Sequence, residues 1–241
     1  MDDAKQEVRE RVWALLERRK AARFPGARGR IPNFAGAGAA AACLAAQPPW
    51  RAARAVKANP DAPQLPVRAR ALGEGKLLLV AVPRLTDPRP FLVLDPGRLD
   101  VPPRRAASIG GAARHGRKTA VGAVPPVDLV VCGSVAVNRD GARVGKGGGF
   151  SDLEFALLVE AGLIGDATVL ATTVHPLQVL DEPLPETGHD FRVDLIVAGE
   201  EVIACPRAPR PPGILWDHLP EDKIAAVPVL TAARRRRRPG T

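Results

Sequence analysis

Four short apolar runs, separated by helical or irregular segments, most strongly constrain the fold of this chain. They are Lys76–Val82, Asp128–Val137, Val169–Val174 and Val193–Val197. A continuous run of branched apolar residues is typical of a strand that is buried on both faces. Between the second and third runs, Ser151–Gly162 has the pattern of a helix. Strands that alternate with helices predict an α/β protein, a three-layer α/β/α fold with a mostly parallel sheet.

The chain is predicted to contain one domain and a short tail. Residues 1–230 are predicted to form a single α/β domain, which begins with an amphipathic helix at about residues 2–20. Residues 231–241 include the arginine run Arg234–Arg238 and are predicted to be a disordered, solvated tail. The stretch 87–127 is rich in Pro, Gly and Arg and is the least predictable part. Further predicted elements are helices over 35–46 and 64–72 and a strand over 53–58.

Composition and charge exclude several classes of protein. The formal net charge is +9, but much of it is the arginine run, so the rest of the chain is too weakly basic to indicate a nucleic-acid-binding protein. The three widely spaced cysteines fit neither a disulfide framework nor a zinc knuckle. The histidine spacing and the lack of a GxSxG motif argue against zinc-dependent and serine hydrolases. A charged N-terminus and short apolar runs predict a cytoplasmic protein without a signal peptide or membrane span.

The segment DGARVGKGGGFSDLE, residues 140–154, is the strongest candidate for a functional site. Its glycines allow backbone N–H groups to approach a ligand closely, and the N-terminus of the following helix attracts anions. Arg143 and Lys146 add positive charge that suits a polyphosphate. Ser151 and Glu154 have the spacing of a capping box, which predicts that the helix begins at the loop. The segment matches neither the Walker A nor the GxGxxG pattern, and a flexible glycine turn with a solvated lysine is the alternative.

Charged residues in three places could complete such a site. Asp152 lies in the first helical turn, where it would repel a bound polyphosphate unless Mg²⁺ bridged the two. Asp190 is a second acid that could reach the same cation, and a solvated loop acid is the alternative interpretation. Lys5 and Arg9 lie one helical turn apart, so they share a face and repel each other unless an anion lies between them. A mixed, solvated helix surface is the alternative for this pair.

Several motifs occur in a characteristic order along the chain. They are Lys5-x-x-x-Arg9, the D-G-x-R-x-G-x-G-x-G-aromatic-x-D segment from Asp140, Gln178, and His189-Asp190. This order resembles the 5-formyltetrahydrofolate cyclo-ligases, also called methenyltetrahydrofolate synthetases. The methenyltetrahydrofolate synthetase domain-containing branch is the most similar. That branch is indicated by RIPNF (30–34), VKANPDAPQ (56–64), CGSVAV (132–137), FSDLEFALL (150–158) and PPGILW (211–216).

The resemblance implies a cyclo-ligase-type fold and an ATP- and Mg²⁺-dependent ligase. Its substrate would be 5-formyltetrahydrofolate, which is cyclised to 5,10-methenyltetrahydrofolate after phosphate transfer to the formyl oxygen. The implied ATP-binding residues are Lys5, Arg9, Arg143, Gly145, Lys146, Gly147, Gly148, Gly149 and Phe150. Arg143 and Lys146 are the implied catalytic residues. The implied substrate contacts are Asp61, Gln64, Gly148 and Phe150, and the implied Mg²⁺ ligands are Asp152 and Asp190.

Two segments depart from the family pattern. The family's Glu after the second strand is absent from residues 59–64, where Asp61 or Gln64 would substitute, and its Tyr-Tyr is here Phe150-Ser151. One alternative is therefore a diverged ATP-binding protein of the same fold, without folate activity or with a different substrate. Another is an RNA-associated role through Arg234–Arg238, the one segment expected to contact nucleic acid. We expect no membrane partner, and a monomer or homodimer.

Overall fold

An eight-stranded sheet forms the middle layer of the fold in the computed structural model, which describes residues 2–237 of the chain and the side chains of residues 3–237. The helices are α1 (Asp2–Arg18), α2 (Ala37–Ala45), α3 (Pro48–Ala52), α4 (Leu65–Gly73), α5 (Pro103–Ala106), α6 (Ile109–His115), α7 (Phe150–Glu160), α8 (Glu221–Ala226) and α9 (Pro228–Arg237). The strands are β1 (Ala55–Ala58), β2 (Leu77–Ala81), β3 (Phe91–Leu94), β4 (Arg117–Thr119), β5 (Leu129–Cys132), β6 (Ala136–Asn138), β7 (Arg143–Val144), β8 (Val169–Val174), β9 (Val179–Leu180), β10 (Leu195–Ala198) and β11 (Glu201–Ala204).

The main sheet has the strand order β11-β10-β8-β5-β1-β2-β3-β4. Its centre is parallel: β1 pairs with β2 and with β5, and β8 pairs with β5 and with β10. Antiparallel pairs lie at the two edges, where β11 pairs with β10 at one end and β3 pairs with β2 and β4 at the other. The predicted α/β class and mostly parallel sheet are confirmed.

Both faces of the main sheet are covered by helices, which gives the three layers. Leu79 of β2 packs in the same apolar cluster as Phe155 of α7. Its neighbour Leu78 packs on the opposite face, with Leu44 of α2 and Val67 of α4. Successive side chains of a strand point to opposite faces, so both layers bury the strands. This explains why the strands read as continuous apolar runs rather than as alternating patterns.

The apolar run over Asp128–Val137, predicted as one strand, is broken at Gly133 and Ser134. β5 remains in the main sheet, whereas β6 belongs to a second sheet of order β7-β6-β9. A Cβ on Gly133 would lie 2.8 Å from Cγ2 of Ile31, so glycine permits the close approach of the Ile31 segment. The prediction of one strand was wrong because apolar character does not reveal that a chain changes sheets.

Helix α1 packs on the second sheet rather than on the main one. Val12 and Leu16 are fully buried against a cluster that includes Val135 of the β5–β6 connection and Val144 of β7. The predicted amphipathic helix is therefore confirmed, with its C-terminal boundary at Arg18. This packing holds the first turns of α1 beside β7 and the loop that follows it.

The first part of the predicted disordered tail is helical in the structure. Residues 231–237 continue helix α9, which is anchored by the buried side chains of Val229 and Leu230. Arg238 and residues 239–241 lie outside the described residues. The stretch 87–127 contains β3, α5, α6 and β4, which are short and separated by Pro and Gly residues that obscure their periodicity. Among residues 2–237, no helix is long and apolar enough to span a membrane.

A single methyl group tests the packing at the strand break. We expect Gly133→Ala to lower the free energy of unfolding by about 1–3 kcal/mol, because the added Cβ overpacks against Ile31. Gly38→Ala in α2 is the matched control: nothing lies within 4 Å of its added Cβ, so the same substitution should stabilise by up to about 1 kcal/mol. Urea denaturation measures both. Equal effects in the two variants would contradict the close packing at Gly133.

Candidate active site

The glycine loop, residues 145–149, connects β7 to the N-terminus of α7. Gly147 and Gly149 have φ angles of 101° and 63°, in the left-handed region that favours glycine. Helix α7 begins at Phe150, directly after the loop. The first N–H groups of a helix lack intrahelical acceptors, so this end of α7 suits an anion.

The capping box predicted for α7 is not formed. The N-cap residue is Gly149, and no side-chain hydrogen bond caps the helix within the described residues. The Ser151 hydroxyl instead accepts a hydrogen bond from Asn59 Nδ2 (3.3 Å), and the Glu154 carboxylate pairs with Lys57. The prediction was wrong because both side chains are used by partners that lie nearly a hundred residues earlier in the sequence.

Two of the basic side chains of α1, Lys5 and Arg9, are buried near the glycine loop. Lys5 and Arg9 are only 7% and 6% exposed, which rules out the alternative of a solvated charged surface. Arg9 Nε donates a hydrogen bond to the Gly145 carbonyl (2.7 Å), and its Cζ would lie 3.4 Å from a Cβ on Gly147. Lys5 Nζ lies 2.5 Å from Oδ2 of Asp190. Helix α1 thus brings Arg9 to the glycine loop and Lys5 to Asp190.

Arg143 is a buried residue of the site and is the first residue of β7. Its side chain is buried, its guanidinium pairs with Asp152, and Cζ lies 4.1 Å from the ring centroid of Phe191. Burial alone would lower the pKa of Arg143, but the nearby carboxylates Asp152 and Asp190 outweigh it and hold this pKa above its ordinary value. Arg143 Nε is a buried donor with no acceptor among the described residues. A fixed, charged donor of this kind suits phosphate recognition.

Asp190, the partner of Lys5, accepts several hydrogen bonds. Thr187 donates to its Oδ2 from both the backbone nitrogen (2.6 Å) and Oγ1 (2.7 Å), in addition to the bond from Lys5. Burial alone would raise the pKa of Asp190, but these donors outweigh it and hold the pKa below its usual range. The carboxylate is therefore charged at neutral pH.

Asp152 and Asp190 supply carboxylate oxygens, which are suitable ligands for a Mg²⁺ ion that also binds phosphate. Both carboxylates lie close enough to Arg143 to raise its pKa. Within residues 2–237 no three His, Cys, Asp or Glu residues cluster as a possible metal site. Protein side chains alone therefore do not form a complete cage. Mg²⁺ commonly binds one or two carboxylates and takes its remaining ligands from substrate phosphates and water.

The predicted substrate contacts divide between accessible and buried residues. Asp61 accepts a hydrogen bond from Lys146 Nζ (2.8 Å), which links the β1–α4 connection to the glycine loop. Gln64 is 0% exposed and lies near Thr173 on the main sheet (Nε2 to Oγ1, 3.5 Å). The structure therefore does not bring Gln64 to an accessible surface, and sequence position alone could not distinguish it from Asp61.

A buried ion pair that we did not predict attaches α7 to β1. Lys57 is 2% exposed, and its Nζ lies 2.5 Å from Oε2 of Glu154 and 2.6 Å from Oδ1 of Asn59. Asn59 in turn donates to Ser151 in the first turn of α7. The sequence signal was a lysine within an otherwise apolar strand, since a charge there requires a buried partner.

Arg68 is a second buried cation that the sequence analysis missed. Its guanidinium donates to the carbonyl groups of Asn59, Asp61 and Ala107. Burial lowers the pKa of Arg68 to about 10. These bonds fix the backbone of the β1–α4 connection and thereby position Asp61.

Lys223 reaches the site from the C-terminal part of the chain. Its Nζ donates to the carbonyl of Gly148 (3.0 Å) and lies 5.2 Å from the ring centroid of Phe150. No sequence motif marks this residue, because only the folding of α8 against α7 brings it to the loop.

Gln178 supports the connection between the two sheets rather than the glycine loop. Its Nε2 donates to the carbonyl groups of Ser134 and Val135, and its Oε1 accepts from the backbone nitrogen of His175. His175 Nδ1 accepts from the backbone nitrogen of Leu177 (3.1 Å). Burial lowers the pKa of His175, and Nδ1 must be unprotonated to accept this bond.

Taken together, the fold and the loop define an α/β protein with a cluster of cations and carboxylates beside a glycine loop at the N-terminus of a helix. A sequence model of the 5-formyltetrahydrofolate cyclo-ligase family matches residues 1–199. The chain belongs to this family. The resemblance predicted from separated motifs is thereby confirmed.

Relatives of the chain share most of its length. It is 39% identical to the methenyltetrahydrofolate synthase domain-containing protein of Mus musculus over 240 residues, which is 97% of this chain and 64% of that protein. The protein of the same description from Homo sapiens is 37% identical over 97% of this chain and 62% of its own length. The chain thus spans somewhat less than two thirds of these relatives.

A solved structure shares the fold. The NMR structure of 5,10-methenyltetrahydrofolate synthetase from Aquifex aeolicus superimposes with a TM-score of 0.54 at 21% identity, covering 89% of this chain and 99% of that one. At this identity the likeness establishes the architecture alone, and it agrees with the mostly parallel sheet described above.

The ion pair between β1 and α7 has a measurable energetic role. We expect Glu154→Leu to lower the free energy of unfolding by about 3–5 kcal/mol, because it leaves the Lys57 ammonium buried without its carboxylate. The double variant with Lys57→Met should recover most of this loss, since apolar residues replace both charges. Urea denaturation measures each variant.

An exposed ion pair provides the matched control for Glu154. Glu201 pairs with Arg139 at 2.9 Å with both side chains about half exposed, and Glu201→Leu should cost less than about 1 kcal/mol. A cost for Glu154→Leu no larger than this would show that the buried pair does not hold α7 against β1.

The lowered pKa of His175 predicts a pH dependence of stability. The stability contributed by neutral His175 is fully present above the unfolded histidine pKa of about 6.5, and it is lost as the pH falls through the lower folded value. Asn at this position can accept the same backbone bond without titrating. The stability difference between the wild type and His175→Asn should therefore shift against the wild type between about pH 7.5 and pH 5. A constant difference over this range would contradict the cap.

Proposed function

We propose that this chain catalyses the ATP- and Mg²⁺-dependent cyclisation of 5-formyltetrahydrofolate to 5,10-methenyltetrahydrofolate. Membership in the cyclo-ligase family supports the general reaction. The observation that carries the proposal is a cluster of three buried cations and two carboxylates, which approaches the glycine loop at a helix N-terminus through Arg9 and Arg143. The cations are Lys5, Arg9 and Arg143, and the carboxylates are Asp152 and Asp190.

In this proposal the cations and the loop bind the triphosphate of ATP. Phosphoryl transfer requires positioning and charge neutralisation rather than a protein nucleophile. Arg143 is fixed by Asp152 and Phe191, so it can neutralise developing charge with little reorganisation. Lys146, whose side chain is about half exposed, is the more accessible of the two proposed catalytic cations. The loop glycines, residues 145 and 147–149, contribute backbone N–H groups.

Asp152 and Asp190 are the proposed ligands of Mg²⁺. The ion would bridge phosphate oxygens and neutralise their charge when bound. Each carboxylate is paired with a cation of the site, Asp152 with Arg143 and Asp190 with Lys5. A phosphate and a divalent cation can therefore enter together without a net charge imbalance, because the anion pairs with the basic groups and the metal with the acids.

The folate is proposed to contact Asp61, Gly148 and Phe150. Asp61 is held by Lys146 and by the Arg68-bound backbone beside the loop. Phe150 presents a partly buried aromatic ring at the N-terminus of α7. Gln64 stays a predicted substrate contact: its side chain is buried, and its Oε1 has no hydrogen-bond partner among the described residues.

The folate half of the site also favours a second candidate, an ATP-binding protein of the same fold with a different acyl or formamide substrate. Gln64 is buried, and the Ser151 hydroxyl is engaged with Asn59 beside a phenylalanine. Contact with RNA through Arg234–Arg238 stays a separate prediction. Arg234 of that run pairs with Glu221 (2.6 Å).

The cyclisation can be tested directly through the absorbance of the methenyl product. Purified protein with 5-formyltetrahydrofolate, ATP and Mg²⁺ should form product, and Asp152→Ala should lower kcat by about 100-fold or more, the scale typical of losing a transition-state stabiliser. Asp166→Ala is the control, because Asp166 is exposed and precedes the amino end of β8. ATP binding by calorimetry without product would sink the folate assignment and favour the second candidate.

A further inference from the structure

A cavity of about 460 Å³ lies beside β2, β3 and β4, at one edge of the main sheet. Its lining includes Leu77 of β2, Val93 of β3, Arg117 of β4 and Val124, which follows β4 along the chain. This volume is within the usual range for small-molecule sites, about 300–1,000 Å³. Leu77 begins β2, whereas Asp61 of the candidate active site follows the end of the parallel strand β1. The cavity and the candidate active site therefore lie at opposite ends of the parallel strands.

Three neighbouring strands arrange the apolar and charged side chains of the cavity in order across one face of the sheet. Val93 and Arg117 are directly opposite each other in the antiparallel β3–β4 pair, so their side chains share a face. Val93 is also opposite Leu79 of β2, and Leu77, two residues before Leu79, lies on the same face. Two apolar side chains and one guanidinium thus follow each other from β2 to β4.

The charged groups around the cavity leave one cation without a carboxylate. Arg98 Nε lies 3.4 Å from Oδ2 of Asp95, and His115 Nδ1 lies 3.3 Å from Oδ1 of Asp100. Arg117 forms no ion pair with any residue whose side chain the structure describes. A guanidinium can bind a carboxylate through two parallel N–H···O bonds. The cavity therefore combines an apolar surface with a cation that is available to an anionic ligand.

We propose that this cavity binds a small carboxylic acid with a flat apolar body, in its ionised form. The carboxylate would pair with Arg117, and the body would cover Leu77 and Val93. Adjacent strands lie about 4.8 Å apart, so these two side chains present a surface that a fused aromatic ring system can cover. The inference does not depend on the proposed cyclisation, because no residue that lines the cavity belongs to the candidate active site.

The test measures binding of 2-naphthoate to the full chain by calorimetry, with 2-naphthamide and acetate as matched probes. 2-Naphthamide has the same ring system without the charge, and acetate has the charge without the rings. We expect 2-naphthoate to bind about 10-fold or more tightly than either probe, because only 2-naphthoate uses both parts of the cavity.

Two variants with matched controls locate the bound acid. Arg117→Gln should weaken 2-naphthoate binding by about 10-fold and leave 2-naphthamide binding unchanged. Arg114→Gln, which changes an exposed arginine outside the cavity lining, should have no effect. Gly122→Leu should weaken binding of both naphthyl probes, because nothing lies within 4 Å of a Cβ on this lining residue and the added side chain would occupy the cavity. Gly110→Leu adds the same side chain at an equally open position outside the lining and should have no effect.

Several outcomes would overturn the inference. A wild-type protein that does not bind 2-naphthoate, or binds 2-naphthamide equally well, would exclude a carboxylate site at Arg117. Unchanged 2-naphthoate binding in Gly122→Leu, or its displacement by Mg²⁺-tripolyphosphate, would place the acid outside this cavity. Thermal unfolding of each variant checks that it is folded. Formation of the methenyl product is measured separately, so failure of the cyclisation and failure of this site are distinguishable.

Discussion

The departure of the chain from the main sheet at Gly133 is the constraint on which the site depends. Without a Cβ at this position the Ile31 segment packs closely against the strand end, and the chain continues into the second sheet. Helix α1 packs on that second sheet and on its strand β7. Arg9, near the start of the sequence, therefore reaches Gly145 of the glycine loop, and Lys5 reaches Asp190.

The charges of the site are held in pairs, each of which joins two different parts of the fold. Lys5 joins α1 to Asp190, Arg143 joins β7 to Asp152 on α7, and Lys146 joins the loop to Asp61. Buried charges are tolerated when they are paired and hydrogen-bonded, and breaking such a pair is costly. The arrangement keeps these cations and carboxylates assembled, and each positive charge is balanced by a negative one.

The C-terminal part of the chain adds to a site whose other residues lie within the family model. Its apolar residues join the same core as α7, and this packing carries Lys223 to the loop. A segment that packs into the core by its apolar face can thus place a single charged side chain at the loop.

The sequence by itself determined the α/β class, the amphipathic first helix and the identity of the loop, because apolar runs, helical spacing and clustered glycines are local signals. The sequence did not predict the contacts between distant segments. The Lys57–Glu154 pair, the burial of Gln64, the unformed capping box at Ser151 and the position of Lys223 depend on segments that are far apart along the chain. Only the packed structure decides which partner a polar side chain finds, because a buried polar group without a partner has a large free-energy cost.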